Sequence, residues 1–240
     1  MLNETAKIET DADKATPKKG KAAKAPAAKV PRKGVDAGVQ ITPPNFKQAL
    51  FRIIGTAPLV MHAFSAKVQS MMEETQAQGS KAKKGKKRDP KNFDDLYERA
   101  RHVAKEGWDG IPCAAFRNSM IAACRTVGFA MTISKLSVFV VADGIDRESG
   151  QPLTKITKGK PHQHRAPCRN ASGVIDIRAR PMWDEWEAVV RLRWDGDQFS
   201  ENDVANLLAR AGTQVGILEG RPGSTNSAGC GWGTFEVKQQ

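Results

Sequence analysis

A chain of 240 residues, 40% of them hydrophobic, with a net charge of +12, has room for one larger domain or two small ones, and part of it is left outside any core. It has no apolar N-terminal targeting stretch and no run approaching 18 apolar residues, so a helical membrane span is excluded and the reading is a soluble, cytoplasmic protein. Four scattered cysteines, Cys113, Cys124, Cys168 and Cys230, form no CxxC pair, which argues against a zinc knuckle and does not suggest a disulfide framework.

The basic charge is concentrated. Residues 1–37 hold nine Lys/Arg against five Asp/Glu, and residues 81–91 hold seven against one, so the rest is close to neutral. Residues 1–40 mix Lys, Ala and Pro with nothing to bury and read as a disordered basic tail. Residues 41–240 read as a single α+β domain with a flexible basic insertion at about 75–92. Both segments would attract polyanions without reading sequence.

The first predicted element is a strand over 46–54, ended by Gly55-Thr56. A loop from Pro58 turns helical around Ser65. After the insertion, Asn92 caps a helix with Asp94 and Asp95 in its first turn, ended by Gly107. The clearest helix is 111–127, with Pro112 in its first turn, Phe116, Met120, Ala123, Cys124 and Val127 on one face, and Gly128 as its stop. The run KLSVFVVA over 135–142 predicts a central strand covered on both faces. A long polar stretch follows, with strand character at 153–156.

Residues 174–180 alternate and predict a strand ended by Pro181, with Arg178 and Arg180 sharing one face. Another strand spans 186–194, with Arg191 and Arg193 on one face. Ser200 and Asp203 form an imperfect capping box for a helix with apolar face Val204, Leu207, Leu208 and Ala211, closed by Gly212. A last strand covers 232–237. This order gives an α+β fold: an enlarged ferredoxin-like, RRM-like antiparallel sheet with helices on one face.

No Walker A, GxSxG, HExxH or zinc-deaminase pattern occurs, so no catalytic residue, metal site or cofactor is assigned. His162, His164 and Cys168 have a spacing that would suit a metal, but a basic surface loop accounts for them more simply. The basic residues make the stronger case. Lys155, Lys158, Lys160, His162, His164, Arg165 and Arg169 form one dense loop, continued by Arg178 and Arg180. If 174–180 and 186–194 pair as a hairpin, Arg191 and Arg193 complete an arginine ladder facing phosphates. Trp183, Trp186, Trp194 and Trp232 interleave with it, either as base-stacking platforms or as core. Near the end, Gly216, Gly220, Gly223 and Gly229 punctuate a loop beside Arg221, and Gly231 and Gly233 alternate into the last strand. Such a loop either offers bare N–H groups to a phosphate or is a structural turn.

The segment VGILEGRPGSTNSAGCGWGTFEV resembles the glycine-rich loop of the RAMP superfamily, the repeat-associated RNA-binding proteins of CRISPR effector complexes. The start at Gly55-Thr56 and Pro58-Leu59, and the helix IPCAAFRNSMIAACR, are similar to that superfamily's backbone subunits. The final AGCGWGTFEV strand is also similar to phage and prophage proteins of unassigned role. The resemblance implies a modified RNA-recognition core that grips a single-stranded backbone, in some cases as a filament of subunits. Gly216, Gly220, Arg221, Gly229, Gly231 and Gly233 match its glycine-rich element, and no cleavage motif is carried over. The expectation is non-sequence-specific binding of single-stranded RNA or DNA, by a homo-oligomer or within a larger ribonucleoprotein. The alternatives are a phage structural or assembly protein that oligomerises through the strand at 136–142 or at 232–237, and a metal-dependent nuclease using Asp143, Asp146 or the histidines.

Overall fold

A computed structural model describes residues 41–63, 70, 73, 91–169, 175–225 and 229–238, except for the side chains of Cys168 and Arg169. The predicted tail, the helical segment from Ser65 except Ser70 and Glu73, which are helical, and all of the insertion but Lys91 and Asn92 lie outside the described residues. Contacts divide the chain between Thr42 and Pro43, and the described strands and helices all belong to the second unit, Pro43–Gln240.

Strand β1 (Phe46–Gly55) is followed by the short β2 (Leu59–Val60). Helix α1 (Phe93–Arg99) begins where predicted, because the Asn92 side chain accepts from the N–H groups of Asp94 and Asp95. It ends at Ala100 rather than Gly107: bridges of Val103 to Asp109 and Ala104 to Asp146 divert the chain into β3 (Gly110–Pro112). Ile111 and Pro112 therefore pair with β6 (Pro152–Lys158), and the predicted helix starts two residues later as α2 (Cys113–Ala123). A 3₁₀ turn, Cys124–Val127, follows, and Gly128, at φ 68°, takes the left-handed stop expected of glycine.

The run at 135–142 departs most from expectation. Its first half closes helix α3 (Met131–Ser137), and only β4 (Val138–Val141) is extended. β4 lies at an edge of β9 (Glu187–Asp195), with only Val138 fully buried. Next come β5 (Gly144–Ile145), β6, β7 (His162–Arg169) and β8 (Ile175–Trp183). The predicted basic loop at 155–169 is thus two strands in two different sheets. β8 runs through Pro181, whose carbonyl accepts from Met61 N at 3.1 Å. Helix α4 (Glu201–Arg210) has both capping-box bonds, Asp203 N to Ser200 Oγ at 3.2 Å and Ser200 N to Asp203 Oδ2 at 3.0 Å. It passes Gly212 into a π turn that Gly216 closes, and β10 (Phe235–Lys238) ends the described chain.

The main sheet has seven strands. Its central order is β10-β1-β9-β4, every neighbouring pair antiparallel. In sequence these strands read β1–α2–β4 and β9–α4–β10. β6 also pairs with β9, at Ala188 and Glu187 beyond the stretch that β4 takes, β3 and β5 pair with β6, and β2-β8-β7 form a second, three-stranded sheet. Alternation along β1 fixes which face is buried: Phe51 and Ile53 point inward while Leu50 and Arg52 are exposed. The inward face meets α2 through Phe116 and Met120 and α4 through Val204, Leu207 and Leu208, with Val190, Leu192, Trp194 and Phe235 in the same core. Helices cover one face of this antiparallel sheet, and among the described residues no helix covers the other.

Candidate nucleic-acid interface

Register determines what the open face displays. Gln48 of β1 lies opposite Arg193 of β9, which lies opposite Phe139 of β4. One step along, Leu50, Arg191 and Val141 form a parallel row. Phe46 sits diagonally across from Arg193. The Arg193 Cζ is 4.9 Å from the Phe46 ring centroid and 5.5 Å from that of Phe139, and the two rings meet edge to face at 6.0 Å. Arg117 reaches Phe139 from α2, with its Cζ 5.1 Å from the ring, while its Nε donates to Val138 O. Arg117, Phe139, Arg193 and Phe46 thus alternate cation and ring at one end of the face. Phe46 is 45% exposed and Leu50 47%, so both present apolar surface to solvent on this face.

Arg193 differs in its charge environment from the other cations of this face. Arg52 pairs with Glu187 at 2.8 Å, Arg191 lies 4.0 Å from Asp143, and Lys238 lies 3.8 Å from Glu236. The hydrogen bond from Arg52, helped by Lys158, holds the Glu187 carboxyl below the ordinary carboxylate value. Among the described residues Arg193 has no carboxylate within 4.0 Å. Aromatic rings flank its guanidinium, which leaves its in-plane N–H groups for an oxyanion.

The predicted site residues do not form one surface. β8 and β9 belong to different sheets, so Arg178 and Arg180 form no ladder with Arg191 and Arg193. Arg180 is buried and donates from Nε to Glu219 at 2.9 Å. Lys155 and Lys158 stand exposed on β6, Lys158 3.4 Å from Glu187, and Lys160 occupies the turn to β7. On β7, His162 lies 3.4 Å from Asp184, His164 meets the Trp232 ring at 5.6 Å, and Arg165 lies over Phe93 at 4.7 Å. Arg169 falls in β7, but its side chain lies outside the described residues. Of the tryptophans, Trp183, Trp186 and Trp194 are fully buried and offer no ring to a base; Trp232 is half-buried.

The glycine-rich loop is occupied from within. Ile217 N donates to Gly233 O, Gly223 N to Val215 O, Cys230 N and Trp232 N to Gly220 O, and Gly233 N to Pro58 O. Gly220, at φ 73°, has the Trp232 ring where a Cβ would stand, and Gly231 is at φ 78°. Arg221 turns back, Nη1 donating to Leu218 O at 2.9 Å. Of the two readings, structural turn is the one this geometry matches.

Two groupings escaped the sequence. One is Phe46 with Phe139; its local signal was the parity Phe46 shares with Leu50 and Arg52, opposite Phe51 and Ile53. The other is a buried pair, His102 Nδ1 to Asp146 Oδ2 at 3.0 Å, whose members lie 44 residues apart with no local signal. Burial pushes the Asp146 carboxyl up, but the N–H groups of Ser149 and Glu148 and the His102 ring outweigh it and hold it below the ordinary value. Asp143 accepts from Lys155 N at 2.9 Å. Both aspartates are thus engaged in the fold, and among the described residues no three His, Cys, Asp or Glu side chains gather to hold a metal.

The fold and this face define a class: a mixed α+β protein with helices on one face of an antiparallel sheet and an open, arginine- and phenylalanine-bearing face on the other. No protein-family model matches the chain, and no curated protein matches it. Among the described residues no helix is long and apolar enough to cross a membrane.

Proposed function

We propose that the protein binds single-stranded nucleic acid on the open sheet face, without sequence specificity, through a ferredoxin-like, RRM-like core. The strand order β10-β1-β9-β4 with helices after β1 and β9 supports that finer fold reading. The single observation that carries the function is the Phe46–Arg193–Phe139 cluster on a face that no helix covers among the described residues. Aromatic rings on an open face stack bases of any identity, and a guanidinium beside them meets a phosphate of the same strand. A duplex hides its base faces, so it gains only the charge term. The basic segments at 1–37 and 81–91 add on-rate and sequence-independent affinity. Fluorescence anisotropy with labelled single-stranded RNA, single-stranded DNA and duplex, each at two salt concentrations, tests this. Single strands bind more tightly than duplex and weaken with salt; salt-insensitive binding, or none, overturns the proposal.

A second reading rests on the β1 edge. β10 pairs with β1 only over residues 52–55, so among the described residues the stretch 46–51 has no strand on that side. Gly55 N donates to Trp186 O, on the β9 side, so by alternation the N–H and C=O of Phe46, Gln48 and Leu50 face the open edge. A second copy adding there would continue the sheet. Sedimentation velocity without nucleic acid tests it: concentration-dependent dimers, lost in Gln48→Pro, support self-assembly, and a monomer throughout refutes it.

A further inference from the structure

The second sheet holds a cleft with a different character. β2 pairs with β8 at Leu59 and Val60, and Met61 N adds one bond to Pro181 O. Beyond that point the β8 edge has no strand partner on this side among the described residues, and α1 runs alongside. Between them lies a cleft of about 350 Å³ bordered by His62, Lys91, Arg99, Asp176, Arg178 and Arg180. Four cationic side chains face one carboxylate there.

These cations are unequally engaged. Lys91 pairs with Asp176 and also donates to Ile177 O at 3.2 Å. Arg99 is held by Asp95 within α1. Arg180, only 7% exposed, gives Nε to Glu219 and Nη1 to Ala179 O. Its Nη2 makes no hydrogen bond among the described residues, and Arg180 is part of the cleft's lining. Arg178 makes no hydrogen bond at all among the described residues; its nearest counter-charge is Asp176, 3.9 Å away. Arg178, half-buried and with no hydrogen bond among the described residues, stands two residues along the same strand face from the buried Arg180, so two guanidinium groups with donors to offer line one side of the cleft. Burial, then Arg180 and Arg178, hold His62 below the ordinary imidazole value, so its ring offers an N–H without adding charge.

We propose that this cleft binds a single phosphate group, Arg178 gripping it through two donors while Arg180 Nη2 and His62 complete the contacts. A guanidinium matches two phosphate oxygens at once, which a lysine does not. The site is independent of the open face of the main sheet, since β8 and β9 share no sheet. A nucleic-acid backbone, a strand terminus and the free ion all present this chemistry, and the test separates the three sources.

The experiment follows the arginine side-chain Nε–Hε resonances of the ¹⁵N-labelled full chain while inorganic phosphate replaces chloride at constant ionic strength. Saturable shifts at Arg178 and Arg180 are expected, weakened roughly tenfold or more in Arg178→Gln and unchanged in Arg125→Gln. A dinucleoside monophosphate and a 5′-mononucleotide are then compared. Equal binding of the diester assigns the site to a strand backbone, and preference for the mononucleotide over the diester assigns it to a terminal phosphate. Preference for inorganic phosphate over both assigns it to the free ion. Linear shifts that never saturate, or an Arg178→Gln protein that binds phosphate as tightly as the parent, overturn the proposal. Because the first titration reads the unaltered protein, it decides the matter even if the variant folds poorly.

Discussion

Replacing Arg193 by glutamine is the most informative change on the open face. Arg52, Arg191 and Lys238 each have a carboxylate within 4.0 Å, whereas Arg193 has none among the described residues, so its charge is the least neutralised there. One charge-assisted contact to a phosphate contributes about 1.5–3 kcal/mol. Its loss weakens binding by roughly ten- to a hundredfold at low salt. The dependence of log affinity on log salt should also flatten by about 0.7, the value for one phosphate contact on a single strand. Arg193 is exposed, so thermal unfolding should stay close to the parent's, and any change in binding is then a change at the surface. Anisotropy titrations of a labelled single strand over a salt series, with a melt as control, read all three quantities. Unchanged affinity and an unchanged salt slope would refute the role given to this stack.

Three further substitutions test the packing of the fold. Asp146→Ala strips the partner from a buried imidazole and the acceptor from two N–H groups, at 2.9 and 2.8 Å, so it should cost about 2–4 kcal/mol by denaturant unfolding. Because the Asp146 carboxyl is depressed in the folded state, its contribution is complete above the unfolded value of about 4 and is lost as pH falls through the folded value; the gap between parent and variant should narrow in acid, and a constant gap would contradict the pairing. Gly233→Ala places a Cβ 2.0 Å from Ile217 O at φ +66°, whereas Gly231→Ala at φ +78° meets nothing within 4 Å; the first should lose several kcal/mol and the second about 1, and equal losses would mean the loop is not packed as described.

What was legible in the sequence was local. The Asn92 cap, the Ser200–Asp203 box, the Gly128 stop and the strands at 46–54 and 186–194 depend on neighbours a few residues apart, and they fall where chemistry and alternation put them. Pairings of distant segments were not legible. Alternating arginines look the same on β8 and β9, and nothing local says that β8 joins β7 and β2 while β9 takes β1. Lys135, Leu136 and Ser137 adjoin a strong β run yet complete a helix, leaving Leu136 76% exposed, so context overrode propensity there. The glycine-rich loop was legible as a set of left-handed positions but not in its purpose, because glycine serves a ligand and a tight internal turn equally well. The aromatic platform was hidden because Phe46 and Phe139 come together only through the register of β9 with both its neighbours.

The most direct test of the central claim is to find where a strand lies. The full chain is cross-linked by ultraviolet light to a single-stranded oligonucleotide carrying 5-iodouracil, digested, and the adducts mapped by mass spectrometry. The account predicts adducts on peptides containing Phe46 and Phe139, across β1 and β4. Adducts confined to residues 1–37, 81–91 or the glycine-rich loop, with none on β1, β4 or β9, would contradict it.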